Sequence, residues 1–355
     1  MADAIKGRGA TANSASARFN LPQRERDRDW LDTQARLEED KPLLRTTVQT
    51  MSAKTIISRN SSPDIGFSQS INAFAGCEHG CIYCFARPSH ARLDLSPGLD
   101  FESRLFVKPN AAELLRKELA KPGYRVETIA MGTNTDPYQP IEGEWKITRA
   151  IVEVLASCRH PMMITTKSDR VTRDIDLLAQ MAADDLVAIA LSVTTLDPAL
   201  HRKLEPRAPG PQKRLAAIRA LSEAGIAVHA SISPIIPAIN DHEIEALVAA
   251  TAAAGARSIS FIPVRLPFEV APLFRDWLEA HFPDRAGRVM HHIRDMRGGR
   301  DNDPGFGSRM RGEGAYAQLI RTRFQKARMR AGLADGRINL RKDLFVSPSD
   351  QGRLF

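Results

Sequence analysis

Three of the four cysteines in this 355-residue chain fall within one stretch, Cys77-Glu-His-Gly-Cys81-Ile-Tyr-Cys84. Packing does not call for such crowding, whereas three soft thiolates on one tight loop suit capture of an iron-sulfur cluster or a zinc ion. The count decides what is left over. A closed structural zinc site takes four donors and a ferredoxin cluster takes four cysteines, so three thiolates leave one metal position open. For zinc the fourth donor would be His79 or His90, at a spacing irregular for a zinc knuckle. Gly76 and Gly80 leave backbone bare beside the sulfurs, so that amide hydrogens can approach a cluster. Tyr83 and Phe85 flank the last cysteine and would screen it from water.

Such a loop needs a scaffold, and the chain from 66 to 282 has the rhythm of one. Apolar runs predict strands at 67–74, 126–132, 161–166, 186–193, 226–233 and 257–262, and amphipathic spacing predicts helices at 109–120, 146–158, 171–183, 211–224, 240–254 and 270–281. Pro109-Asn110, Thr172 with Asp174, and Asn240-Asp241 read as helix starts, and Gly225 and Gly255 as stops. Six βα units predict an α/β fold with a parallel sheet, open or curled into part of a barrel, with right-handed crossovers. The cysteine loop follows the first strand, at the carboxyl end where such folds build their chemistry.

The flanks differ in character. Residues 1–65 are expected to form a partly disordered N-terminal extension, low in complexity and then alternating in charge over Arg24 to Asp29, with Phe19, Leu21, Trp30 and Leu31 available to dock on a core. Residues 283–355 form a basic Gly/Arg-rich extension. There Gly298-Gly299, Pro304 to Gly307 and Gly312 to Gly314 mark a flexible loop region before a basic helix at 314–331, and Leu340, Leu344 and Phe345 can pack back. The net charge of +8 sits in this block: residues 281–355 carry 16 Lys or Arg against eight Asp or Glu, while residues 51–280 carry 25 against 26. Its arginines suit phosphate contacts, hence a nucleic-acid partner, or form a solvated helix face. No apolar run has the length of a membrane span, Met1 to Leu31 lacks the apolar core of a signal peptide, and the cysteines make no disulfide framework. The expectation is a cytoplasmic protein with no membrane partner.

The CxxxCxxC run after a first strand resembles the radical S-adenosylmethionine (SAM) superfamily, over roughly residues 66–282. Further segments resemble its spore photoproduct lyase-like branch: Thr133-Asn-Thr-Asp-Pro-Tyr-Gln-Pro140, Thr165-Thr-Lys-Ser168, Ala190-Leu-Ser-Val-Thr-Thr195, Leu204-Glu-Pro-Arg207 and Pro234-Ile-Ile-Pro-Ala-Ile-Asn-Asp241. The resemblance implies a partial (β/α)6 TIM-like barrel in which Cys77, Cys81 and Cys84 hold a 4Fe-4S cluster. The open iron then binds the amino and carboxylate groups of S-adenosylmethionine. An electron from a donor such as flavodoxin or ferredoxin cleaves the sulfonium, and a 5'-deoxyadenosyl radical takes hydrogen from a substrate. Lys167 matches a lysine near the cofactor carboxylate, Ser192 a serine on the ribose side, and Thr133, Asn134 and Asp136 the region of the methionyl amino group; Tyr83 and Phe85 would also cover the adenine.

One departure bears on the reaction. The photoproduct lyase returns hydrogen from a cysteine after its second strand, where this chain reads Ala130-Met-Gly-Thr133; Tyr138 is the candidate substitute relay. Cys158, on the opposite barrel face, reads as a small buried hydrophobe. Simpler readings stand beside these: Lys167 pairing with Asp169, Ser192 and Thr194 ending a strand, a Glu205–Arg207 ion pair, and His201, His229, His242, His291 and His292 merely packed or solvated. The leading reading is a radical SAM enzyme acting on an unidentified substrate, with nucleic acid one candidate; the alternatives are a radical SAM enzyme acting on a protein or peptide and a zinc-stabilised nucleic-acid-binding protein without catalysis.

Overall fold

Six parallel strands lie side by side in the order of the sequence. The computed structural model describes residues 5–14, 16, 18, 44–334 and 338–348; Phe19, Leu21, Trp30, Leu31 and the Arg24 to Asp29 run lie outside them. The strands are β1 (Gln69–Ile71), β2 (Ile129–Met131), β3 (Met162–Thr166), β4 (Val187–Ser192), β5 (Ala227–Ile235) and β6 (Ser258–Pro263), each hydrogen-bonded to the next. Helices α1 (Ala111–Leu119), α2 (Ile147–Ser157), α3 (Ile175–Ala183), α4 (Pro211–Glu223) and α5 (Ile244–Ala253) link them, and α6 (Val270–His281) follows β6. Among the described residues β1 and β6 do not pair, so the barrel is partial. An antiparallel strand, Ile57–Arg59, covers the free edge of β1, and Ala334 makes a single bridge to Ser258 on β6.

Local chemistry explains these elements. Every residue of β4, Val-Ala-Ile-Ala-Leu-Ser, is buried, as a strand covered on both faces requires. In α2 the buried Ile147, Ile151, Val154 and Leu155 recur at helical spacing along one face. Gly225 (φ +79°) and Gly255 (φ +100°) adopt the left-handed conformation after α4 and α5, as the stop signals imply.

Three stretches differ from the expectation. The first strand breaks after Ile71, because the Asn72 amide turns to the loop after β2, donating to Thr133 Oγ1 and accepting from the Asn134 amide. Phe74–Ala75 then joins a separate sheet with Arg104–Val107 and Thr47–Thr50 just before the cysteine loop. Next, the helix at 171–183 starts as a 3₁₀ turn, Asp169–Asp174, capped by Ser168 Oγ accepting from the Arg170 amide; the Asp174 carboxylate is taken by Arg149 and Arg173 instead. Finally, residues 283–295, where the sequence pattern gives no expected element, form helix α7 (Pro283–Asp295), burying Ala286, Val289, Met290 and Ile293, a spacing visible in the sequence but masked by its charge. The irregular part is 296–313. Helix α8 (Gly314–Arg330) packs on α5 and sets Phe324 against Phe261, ring centroids 4.6 Å apart.

Both flanks are built into the fold. In the N-terminal extension Arg8, Ala10, Thr11 and Ser16 are buried. At the other end Phe345 packs on Tyr124 and His160, with centroids 5.6 and 5.4 Å away, and the Val346 amide donates to the Cys158 carbonyl at 2.8 Å. Cys158 is buried just before β3, on the face opposite the cysteine loop. No helix among the described residues is long and apolar enough to cross a membrane.

The His160 contact generates a pH prediction. Burial lowers the imidazole to about 4, so its neutral form contributes fully above the unfolded value of about 6.5, and stability is lost as pH falls from there towards about 4. Denaturant titrations should lose roughly 3 kcal/mol on this account over that interval, and His160→Gln should flatten that part of the profile.

Candidate metal and cofactor site

The cysteine loop is held from beneath by one buried ion pair. Arg87 and Glu102 are fully buried, with Nη2 2.5 Å from Oε1. The same guanidinium donates to the carbonyls of Cys81 (2.9 Å), Gly80 (3.2 Å), Pro97 (3.1 Å) and Gly98 (2.9 Å). The Glu102 carboxylate accepts from the amides of Gly9 and Ala10 at 2.9 and 2.8 Å, and Arg8 donates to the Glu102 carbonyl at 2.7 Å. A Cβ on Gly9 would lie 1.7 Å from the Gly80 carbonyl oxygen, so only glycine allows this strap to lie on the loop.

A second clamp brackets Cys77. Buried Gln139 donates to the Gly76 carbonyl at 3.2 Å and accepts from the Glu78 amide at 2.9 Å, so one carboxamide holds the peptide groups on both sides of the cysteine. Asp136 is the neighbouring hub. It accepts from the Thr166 hydroxyl (2.7 Å) and the amides of Lys167 (2.8 Å) and Tyr138 (2.9 Å), and lies 3.3 Å from His79 Nδ1. Burial alone would raise this carboxylate, but His79, then the Lys167 amide and Thr166, outweigh it and hold it at about 2.

The third hub stands behind Cys81 and Cys84. Glu205 is fully buried and is bonded by Arg214, the Tyr83 hydroxyl and the Thr194 hydroxyl, with His201 Nδ1 at 3.4 Å. Burial opposes its ionisation, yet Arg214 and then His201 hold it well below the usual carboxylate range. The expected Glu205–Arg207 pair is not made: Glu205 faces inward to Arg214, and Arg207 reaches Glu78 at 2.7 Å. Lys167 lies 5.8 Å above the Tyr83 ring. Burial works to lower its ammonium, but Cys81 and Glu205 raise it.

The donor set fits a cluster bound by three thiolates. Cys77 and Cys81 are buried, Cys84 is partly exposed, and all three are free. Burial pushes the Cys77 thiol well above its usual range and Cys81 up to about 12, and a soft cation bonded to sulfur would supply the positive charge that burial demands. The two histidines are engaged elsewhere: His79 faces Asp136, and His90 Nε2 bonds the Arg104 carbonyl at 3.0 Å with its ring against Phe101. Among the described residues no three Cys, His, Asp or Glu side chains converge to hold one ion; a cubane spreads its thiolates over separate irons.

The remaining sequence candidates divide. Thr133 and Asn134 are anchored to Asn72 beside this site, and Asn134 also reaches Ser89 at 3.3 Å. Ser192 ends β4, its carbonyl accepting from Arg214 at 3.1 Å. Phe85 is 57% exposed next to Cys84. Tyr138 is fully buried and donates to Asp174 at 2.9 Å, within an ion cluster of Arg149, Arg173 and Glu142. Residues that sequence reasoning missed, Arg87, Glu102, Gln139 and Arg214, act through buried contacts that no motif spacing signals; Gln139 alone lies in a segment that carries the family resemblance, Thr133 to Pro140. His201 Nε2 donates to the Ala208 carbonyl at 3.0 Å and His229 bonds Ser258 and Ser260, so both are packed residues.

A model of the Radical SAM superfamily matches residues 71–250, just over half of the chain. An uncharacterized protein of Mycobacterium tuberculosis is 40% identical over 224 residues, covering 62% of this chain and 66% of that protein. One of Methanocaldococcus jannaschii is 34% identical over 173 residues, covering 49% and 62%. The chain thus spans slightly less than two thirds of these relatives. Among solved structures, spore photoproduct lyase complexed with dinucleoside spore photoproduct has a similar fold, with a TM-score of 0.55 at 15% identity over 80% of this chain and 79% of that one.

Removing one member of the pair beneath the loop leaves a buried charge unmatched. Arg87→Ala or Glu102→Ala should destabilise the protein by about 3–5 kcal/mol, read from denaturant midpoints, and both should lower the iron retained per chain.

Proposed function

The chain belongs to the radical SAM superfamily, and on that premise we propose that it is an enzyme whose Cys77, Cys81 and Cys84 hold a 4Fe-4S cluster with one iron free for S-adenosylmethionine. Bound there, this pair would supply one-electron reductive chemistry and hydrogen abstraction from the substrate, with a donor such as flavodoxin or ferredoxin providing the electron. The observation that carries the reading is the three-thiolate loop that follows β1, with His79 Nδ1 turned to Asp136 at 3.3 Å and His90 Nε2 bonded to the Arg104 carbonyl.

The chain's own residues then take defined parts. Arg87 and Gln139 fix the backbone of the loop that carries the sulfurs. Lys167, raised above its usual value and set over Tyr83, offers a positive charge for the cofactor carboxylate. Asp136 is a positioning residue: its oxygens are occupied by Thr166, Lys167, Tyr138 and His79, so it shapes the β2 loop, and Thr133 and Asn134 on that loop are the groups for the methionyl end. Ser192 serves the ribose side, and Tyr83 with exposed Phe85 covers the cluster and adenine. Tyr138 takes no part, since its hydroxyl is committed to Asp174.

Anaerobic reconstitution with iron and sulfide should give the broad visible absorption of a thiolate-bound cluster and dithionite-dependent 5'-deoxyadenosine. Any single Cys→Ala at 77, 81 or 84 should abolish both. Lys167→Ala should keep the absorption and weaken S-adenosylmethionine binding by roughly tenfold, as loss of a charge-assisted contact implies. One tightly bound zinc and no iron after anaerobic purification would sink the reading.

A further inference from the structure

The 296–313 segment, which the chemistry above leaves unused, crosses the gap between the outer strands of the partial barrel. On one side Arg309 donates to Asp64 Oδ2 at 2.5 Å and to Ser62 Oγ at 2.8 Å, and the Gly307 amide donates to Asp64 Oδ1 at 2.7 Å, all on the segment before β1. On the other side Arg297 donates to the carbonyls of Pro263 and Val264, at 3.2 and 3.0 Å, where β6 ends. Arg265 follows directly and donates to Met310 Sδ at 3.1 Å. Three guanidiniums, Arg265, Arg297 and Arg309, are thereby gathered at the carboxyl end of the last strand.

Their charge is incompletely matched. Arg297 is 3% exposed, and its hydrogen bonds run only to carbonyl oxygens, those of Pro263, Val264, Ser308 and Arg309. The Nε atoms of Arg297 and Arg265 are buried and have no acceptor among the described residues. The carboxylates facing them are Asp64, already bonded to Arg309, and Asp303, which accepts from Ser308 Oγ and the Gly305 amide. Burial and then Arg309 lower the Arg265 guanidinium, and burial and then Arg265 lower Arg297 to about 10, as like charges in a poorly hydrated place must. Carbonyl dipoles offset part of this cost; a bound anion would offset the rest. The exposed Arg300 and Arg311 lie on the same segment and extend the positive field outward.

We propose that Arg265, Arg297 and Arg309 form a subsite for a phosphate group of the substrate, at the carboxyl end of β6. The Nε–H groups of Arg265 and Arg297, which have no acceptor among the described residues, are the donors left for an oxyanion, and this end of a parallel strand is where such folds bind ligands. The subsite deepens the radical reading by naming the chemistry of its substrate, and a phosphorylated small molecule or a nucleic-acid backbone would each supply it.

Equilibrium dialysis of the full chain with labelled inorganic phosphate, at ionic strength balanced with chloride and without S-adenosylmethionine or reductant, tests this. The expected result is one phosphate per chain and a melting midpoint that rises with phosphate but not with chloride. Arg265→Ala should weaken binding roughly tenfold or more, Arg265→Lys should retain part of it and guards against a folding defect, and Arg311→Ala should change it little. Phosphate no better than chloride, or equal binding by wild type and both Arg265 variants, would overturn the proposal. Competition identifies the source: displacement by adenosine monophosphate marks a small phosphate ester, displacement only by an oligonucleotide marks a phosphodiester backbone, and displacement by neither overturns the subsite. Because no cluster chemistry is involved, failure here leaves the radical reading standing, and failure of S-adenosylmethionine cleavage leaves the subsite standing.

Discussion

The buried Arg87–Glu102 pair is the constraint from which the rest of the site is built. A thiolate loop with bare glycines at positions 76 and 80 leaves several carbonyl oxygens facing inward, and each must find a donor. One arginine supplies donors to two of them, on Gly80 and Cys81, and to the Pro97 and Gly98 carbonyls of a second segment, and its own charge then demands a buried carboxylate. That carboxylate, in turn, takes the amides of Gly9 and Ala10, so a segment distant in sequence becomes part of the cluster loop's support. A loop that would otherwise be among the least ordered parts of the chain is thereby tied on three sides.

The same logic repeats around the barrel mouth. Glu205 and Asp136 are carboxylates with nearly every oxygen lone pair in use, and each organises residues from several strand ends. Neither is free to act as a proton donor or a direct ligand while so engaged. Their value to the chemistry is that Tyr83, Lys167 and the β2 loop stand in fixed places, which is the preorganisation a reactive radical site needs. Positive charge is distributed unevenly: Arg294, Arg323 and Arg341 of the basic C-terminal block are paired with Asp301, Glu245 and Asp343, whereas the unmatched charge lies inside, at the end of β6. Net charge in the sequence therefore overstated the surface and said nothing of the interior.

Much of the scaffold was legible because it rests on local rules. Period-two and period-3.6 patterning placed six strands and six helices within a few residues of where they lie, and Gly225 and Gly255 marked their stops through a backbone conformation that glycine favours. The failures have equally physical causes. The first strand was read as continuous because the hydrogen bonds that turn Asn72 aside come from residues some sixty positions away. Helix α7 was missed because arginines and histidines between its apolar residues hid the periodicity. Glu205 was paired with Arg207 by proximity in the chain, when burial selects the partner that can reach the interior.

The sequence by itself determined the chemistry on offer: three soft sulfur donors without a fourth, on a loop that follows the first strand of six βα units. Those are properties of residue type, spacing and local periodicity, and they survive any detail of packing. Only the tertiary structure decided which polar residues hold that loop, that Tyr138 faces Asp174 and Lys167 faces Tyr83, and that three arginines meet at the far strand with too few carboxylates. Such facts depend on contacts between residues tens to hundreds of positions apart, where burial, and not spacing, chooses which charges are matched and which are left waiting for an anion.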